Sequence, residues 1–166
     1  RKESSAASDV YKRQGLGSIS VPRAYGGPQV SFVTLAEVFA IISAADPALG
    51  QIPQNQFGIL GLILGCGTER QKKQLLQSVL EGWRIGNAGP ERGTKNTLEL
   101  KARITADADG HVINGQKFYS TGALFAHWVA VKALNEEGRQ VLAFVRRGTP
   151  GPVSYTHLTL PTTPYV

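Results

Sequence analysis

Residues 98–104, Leu98-Glu99-Leu100-Lys101-Ala102-Arg103-Ile104, alternate apolar and polar side chains without a break. A period of two buries one face and wets the other, so the stretch reads as a half-buried strand. The chain beyond Ile104 keeps that period. Asp109-Gly110 turns it into His111-Val112-Ile113, and Asn114-Gly115 turns it again into a short strand over 117–120. Two more strands, over 128–134 and 140–145, are joined around Asn135-Glu136-Glu137-Gly138.

Upstream of Trp83 the period is helical. Leu75, Leu76, Val79 and Leu80 form one apolar face, while Arg70, Lys72, Lys73 and Glu81 face water. Thr68 caps that helix, Gln71 completes a capping box, and Gly82 ends it. A helix over 31–45 carries Phe32, Leu35, Val38, Phe39 and Ile42 at helical spacing. Glu37 is its only charge, so most of its surface is expected to be buried, and Pro47 stops it. Between these, 55–64 reads as a helix whose Gly58 and Gly61 mark close packing against a neighbour. The Gly- and Pro-rich stretch 15–29 is a loop. Helices followed by hairpin-linked strands predict an α+β fold, with a helical segment over 31–82 joined to an antiparallel β unit over 85–146.

Composition bounds the function. The hydrophobic share of 42% and charged share of 18% are those of a globular chain. Cys66 is the only cysteine, which precludes an intrachain disulfide and favours a reducing, cytoplasmic setting. No apolar run is long enough to span a bilayer. The net charge is +6, of which the first 14 residues hold +2, and no basic run exceeds two residues. A nucleic-acid groove would cluster such charge, so neither nucleic acid nor membrane is an expected partner. His111, His127 and His157 lie apart from one another and from Cys66, without metal-ligand spacing. No nucleophile elbow or phosphate-binding glycine loop is present.

Two stretches carry candidate chemistry. In 114–128, Tyr119, Ser120 and Thr121 place an aromatic ring and two hydroxyls beside the lightly shielded backbone of Gly122 and Ala123, an arrangement suited to a flat, polar-edged ring. In 84–95, Arg84-Ile85-Gly86-Asn87-Ala88-Gly89-Pro90-Glu91-Arg92-Gly93-Thr94-Lys95 leads from the last helix into the strands. Taken singly, Tyr119 reads equally as a half-buried strand aromatic and Thr121 as a turn hydroxyl. Their order along the chain, with the capped helix before them, carries a resemblance.

Asn114-Gly-Gln-Lys-Phe-Tyr-Ser-Thr121 resembles the Asn-Gly-x-Lys-x-Trp-Ile-Thr segment of the acyl-CoA dehydrogenase superfamily, with Tyr119 at the Trp position and Thr121 at the Thr position. Gly67-Thr-Glu-Arg-Gln-Lys72 is similar to that superfamily's Gly-Thr-Glu-x-Gln-Lys helix, and Val21-Pro-x-x-Tyr-Gly-Gly27 to the loop before its core helix. Stretch 84–95 resembles the superfamily's Thr-Glu-Pro-x-Ala-Gly-Ser-Asp segment. Pro90 and Gly93 match and Thr94 stands at or near the Ser, while Ala88 and Gly89 stand where Thr-Glu is expected. The Gly-Asn-Ala and Ser-Thr-Gly-Ala wording is closer to the flavin-dependent monooxygenases of sulfur acquisition and dibenzothiophene oxidation.

The resemblance implies a flavin (FMN or FAD) held by Asn87, Ala88, Thr94, Tyr119, Ser120 and Thr121, with backbone amides near Asn87 and Thr121 among the donors. These two groups of residues are expected side by side on one edge of the β unit. It further implies a two-component monooxygenase that receives reduced flavin from a partner reductase and oxidises a small sulfur compound. The alternatives are an FAD-dependent acyl-CoA dehydrogenase and a non-catalytic β-rich binding module. In the superfamily the base is a carboxylate of a C-terminal helical domain and flavin contacts also come from a neighbouring subunit, so no catalytic residue is assigned, and a homo-oligomer is expected at full length. The ends, Ser8 to Gln14 and Val153 to Val166, resemble translated sequencing-adapter text. The expected organisation is a foreign-looking tail over 1–14, part of an N-terminal helical domain over 15–82, part of a middle β domain over 83–152, and a second tail over 153–166.

Overall fold

The computed structural model describes residues 15–96, 99–108 and 110–152; the two tails expected at 1–14 and 153–166 lie outside them. Three helices come first. In α1 (Phe32–Ala45) the Ser31 hydroxyl accepts from the Thr34 N–H at 3.1 Å and caps the first turn. The next, α2 (Pro47–Cys66), is longer than the expected 55–64. Pro47 starts it at a position that needs no N–H, and the Asp46 carboxylate accepts from Ala48 and Leu49 at 2.8 and 3.3 Å. In α3 (Glu69–Leu80) the capping box is formed as expected, with Thr68 N–H donating to Gln71 Oε1 at 2.8 Å and Gln71 N–H to Thr68 Oγ1 at 3.3 Å.

The core forms where α3 meets α2. Leu75, Leu76 and Val79 pack on Ile59, Leu60 and Ile63, and Val21, Ile85 and Ala130 close the cluster. Each fully buried aliphatic side chain there contributes about 1.5–3 kcal/mol relative to exposure. The expectation for α1 is overturned. None of its residues is buried, and Phe32 and Ile41 remain 89% and 70% exposed, because among the described residues α1 packs mainly against α2. Gly58 and Gly61 likewise face open space rather than a neighbour.

Five strands follow in one sheet: β1 (Ile85–Ala88), β2 (Arg103–Asp107), β3 (Gly110–Asn114), β4 (Trp128–Leu134) and β5 (Gln140–Arg146). The α+β class is found, but the sheet is mixed rather than antiparallel. β1 runs parallel to the first half of β4, and β2 touches β4 in parallel through Arg103 and Leu134, whereas β2–β3 and β4–β5 are antiparallel hairpins. The reason is the excursion between β1 and β4, which contains the β2–β3 hairpin and returns the chain in β1's direction.

The alternation over 98–104 is realised in burial before it is realised in pairing. Leu100 and Ala102 are buried while Glu99, Lys101 and Arg103 are exposed, yet the ladder begins only at Arg103; Leu98 lies outside the described residues. The N–H groups of Lys101 and Ala102 are taken instead by the Glu91 carboxylate, at 2.7 and 3.0 Å. Nor is 117–120 a strand. Phe118 N–H donates to Pro90 O at 2.9 Å, and Tyr119 adopts a φ of 53°, in the left-handed region that no strand residue occupies. Gly115 leads out of β3 with a φ of 151°, and a Cβ there would lie 2.6 Å from that of Ala102. Asn114-Gly115 is therefore a close backbone approach and not a hairpin turn.

Candidate cofactor site

The outer edge of β1 is met by the turn after Lys117. Asn87 N–H donates to Thr121 O at 3.1 Å, and Thr121 N–H donates to Tyr119 O at 2.9 Å. Gly86 makes the approach sterically feasible: a Cβ there would stand 2.7 Å from Ala123 Cα and 2.8 Å from Gly122 C. Asn87 and Thr121, from segments 34 residues apart in number, are thus neighbours at the sheet edge. The side chains of Asn87, Ser120 and Thr121 are half-buried and have no hydrogen-bond partner among the described residues. These three are the unspent polar groups of the site. The backbone amides of Asn87 and Thr121 are not, since the first already donates to the turn and the second within it.

The remaining expected residues are placed less uniformly. Ala88 is 6% exposed, so its methyl is in the core and only its backbone can face a ligand. Tyr119 is 72% exposed, with the Arg92 guanidinium 5.6 Å from its ring centroid, 4.5 Å from that of Phe118, and 3.5 Å from the Tyr119 hydroxyl. Thr94 belongs to a separate turn, where its hydroxyl donates to Glu91 O at 3.5 Å.

An ion pair that no local pattern announced holds the two stretches together. Lys117 Nζ lies 2.6 Å from Glu91 Oε1, and the two side chains are only 8% and 4% exposed. Lys117 also donates to Gly89 O at 3.2 Å, while Glu91 takes the two amides of Lys101 and Ala102. Burial pushes the Glu91 pKa up, but the Lys117 ammonium and those backbone donors outweigh it and hold the carboxyl below its ordinary value. With every Glu91 oxygen engaged, its charge is compensated rather than offered to a ligand.

Behind β1, Trp83 stacks on His127 at 5.3 Å and Arg146 lies 5.1 Å over Trp83. Arg84 N–H donates to His127 Nδ1 at 3.0 Å, which assigns the remaining ring proton of the neutral imidazole to Nε2. Burial depresses the Arg84 pKa, and its Nε has no partner among the described residues. It lines a cavity of about 30 Å³ with Gly17, Pro53 and Gln56, room for one water. His111 is exposed on β3, and Cys66 is exposed at the end of α2.

Residues 4–83 match the acyl-CoA dehydrogenase N-terminal domain family, a span that ends where helices give way to strands. The dibenzothiophene monooxygenase of Rhodococcus erythropolis is 33% identical over 120 residues, 71% of this chain and 28% of that protein. A probable acyl-CoA dehydrogenase of Mycobacterium leprae (strain TN) is 33% identical over 125 residues, 74% of this chain and 32% of that protein. The chain is similar to members of the acyl-CoA dehydrogenase superfamily, and its first half matches the N-terminal domain of that superfamily. Among solved structures, TdsC from Paenibacillus sp. A11-2, in a complex with FMN and indole, superposes with a TM-score of 0.74 at 29% identity. That likeness covers 84% of this chain and 36% of TdsC. The chain therefore spans about a third of the length of the relatives it matches.

Proposed function

We propose that this chain supplies one wall of a flavin site in a two-component monooxygenase that oxidises a small sulfur compound, with reduced flavin delivered by a partner reductase in the cytoplasm. The observation that carries the reading is the juncture of Asn87 with Thr121, bordered by three polar side chains without partners among the described residues and by an exposed aromatic ring. That donor set fits an isoalloxazine, which has a polar O2–N3–O4 edge and two apolar faces. Asn87, Ser120 and Thr121 would hold the polar edge, and Tyr119 would cover a face. When bound, reduced flavin supplies the electrons for oxygen activation. The chain's residues orient the ring, and the buried Ala88 keeps that side of the strand dry.

The oxygenase is preferred to a dehydrogenase because Ala88 offers no hydroxyl where the dehydrogenase motif has one. Losing such a bond costs on the order of 1 kcal/mol, which suits a flavin that arrives reduced and leaves over one permanently held. The equal identity to a probable acyl-CoA dehydrogenase keeps that activity as the second reading. Thr94, engaged with Glu91 O, is proposed at the rim of the site. A complete protein containing this chain separates the two readings. Oxygen uptake dependent on both reduced flavin and a sulfur substrate supports the oxygenase. Anaerobic bleaching of retained FAD by an acyl-CoA would replace it with the dehydrogenase.

A further inference from the structure

Two consecutive backbone N–H groups lead into β1, and side-chain acceptors from two different layers meet them. Arg84 N–H donates to His127 Nδ1 beside the start of β4, and Ile85 N–H donates to Gln56 Oε1 of α2 at 3.2 Å. Gln56 is 4% exposed, and its Nε2 donates to Gly17 O at 2.8 Å. Both ends of the amide are thus used. Its orientation follows from chemistry, because the Gly17 carbonyl requires a donor and the Ile85 N–H an acceptor. Gly17 is part of the same fit: a Cβ there would lie 2.6 Å from Gln56 Nε2.

β1 is four residues long and pairs with β4 on one side only, so it has few bonds of its own to fix where it lies. An anchor at Ile85 acts two residues before Asn87, the residue that meets Thr121. An apolar side chain at 56 would leave the Ile85 N–H and the Gly17 carbonyl without these partners, and the strand would have to shift to recover protein ones. We infer that Gln56 is a positioning residue: from the helical layer it sets where β1 lies and thereby aligns Asn87 with Thr121. Its consequence for ligand binding rests on the proposed flavin site, whereas the placement of β1 does not.

The test is amide hydrogen exchange by NMR on the 166-residue chain, with FMN titrated into the same samples. In Gln56→Met, exchange at Ile85 and Asn87 should accelerate by about tenfold or more, while Leu142 on the β4–β5 ladder and Leu76 in α3 stay within about twofold. Gly17→Ala, which displaces the amide without removing it, should give the same local pattern and covers the case in which Gln56→Met does not fold. FMN affinity should fall by about tenfold alongside. Uniform acceleration across the sheet and helices would make Gln56 a general packing residue and overturn the inference, as would unchanged exchange at Ile85 and Asn87. Local acceleration with unaltered FMN affinity would uphold the positioning role and remove Asn87 from the flavin site.

Discussion

Glu91→Gln keeps the size of the side chain and removes its charge. Lys117, 8% exposed, then loses a carboxylate oxygen 2.6 Å away and retains Gly89 O at 3.2 Å as its acceptor. Leaving one partner of a buried pair uncompensated costs about 3–5 kcal/mol. The neutral amide also turns an NH2 toward one of the two backbone donors, Lys101 or Ala102, that the carboxylate now satisfies. At about 3 °C per kcal/mol for a chain of this size, the melting temperature should drop by about 9–15 °C. Lys117→Met is milder, about 1–3 kcal/mol, because the carboxylate keeps both backbone bonds. The double variant should be more stable than Glu91→Gln alone, since it no longer buries an unpaired ammonium. Urea and thermal unfolding followed by circular dichroism measure all three. A loss below about 1 kcal/mol in Glu91→Gln, or strict additivity of the two substitutions, would refute the tether between the two site stretches.

The same carboxylate leaves a pH signature. Its folded-state pKa lies below 4.5, so between that depressed value and 4.5 the folded chain binds fewer protons than the unfolded one. The stability it contributes is complete above 4.5 and is lost as pH falls through the folded value; Glu91→Gln should flatten the acid limb of melting temperature against pH, and an unchanged limb would count against the assignment. Gly86→Ala should cost about 1–3 kcal/mol by driving a methyl into the backbone of Gly122 and Ala123, with chemical shifts at Thr121 moving first; a neutral substitution would mean the turn does not pack there. Ile41→Lys, on the uncovered side of α1, should reduce self-association in gel filtration at unchanged melting temperature, because the site is 70% exposed; a large loss of stability would show that α1 is covered in solution.

Features governed by neighbours along the chain are legible in the sequence. Thr68 and Gln71 announce α3 because a capping box is a four-residue event, and the strands expected over 128–134 and 140–145 are found as β4 and β5. Asp46-Pro47 marks the start of α2 just as plainly, since an Asp cap followed by proline at the first helical position is a start signal; the same proline, taken only as the stop of α1, hides it. Long-range partners are not legible. Glu91 and Lys117 are 26 residues apart, so no spacing rule links them, and it is their union that withholds Lys101 and Ala102 from the sheet. The strand expected over 117–120 fails for a related reason: pairing with Pro90 and the left-handed Tyr119 come from the β1 side of the fold. The largely apolar α1 implies burial by something, but the described residues do not include what would cover it.

If the Asn87 edge and the 119–121 turn form one ligand-contacting surface, FMN titrated into isotope-labelled chain must report it at both stretches together. Saturable chemical-shift changes should concentrate at Asn87, Ala88, Tyr119, Ser120 and Thr121, with an affinity in the range of about 0.1–1 mM for a partial wall. Shifts confined to α1 and α2, or none at millimolar FMN, would contradict it.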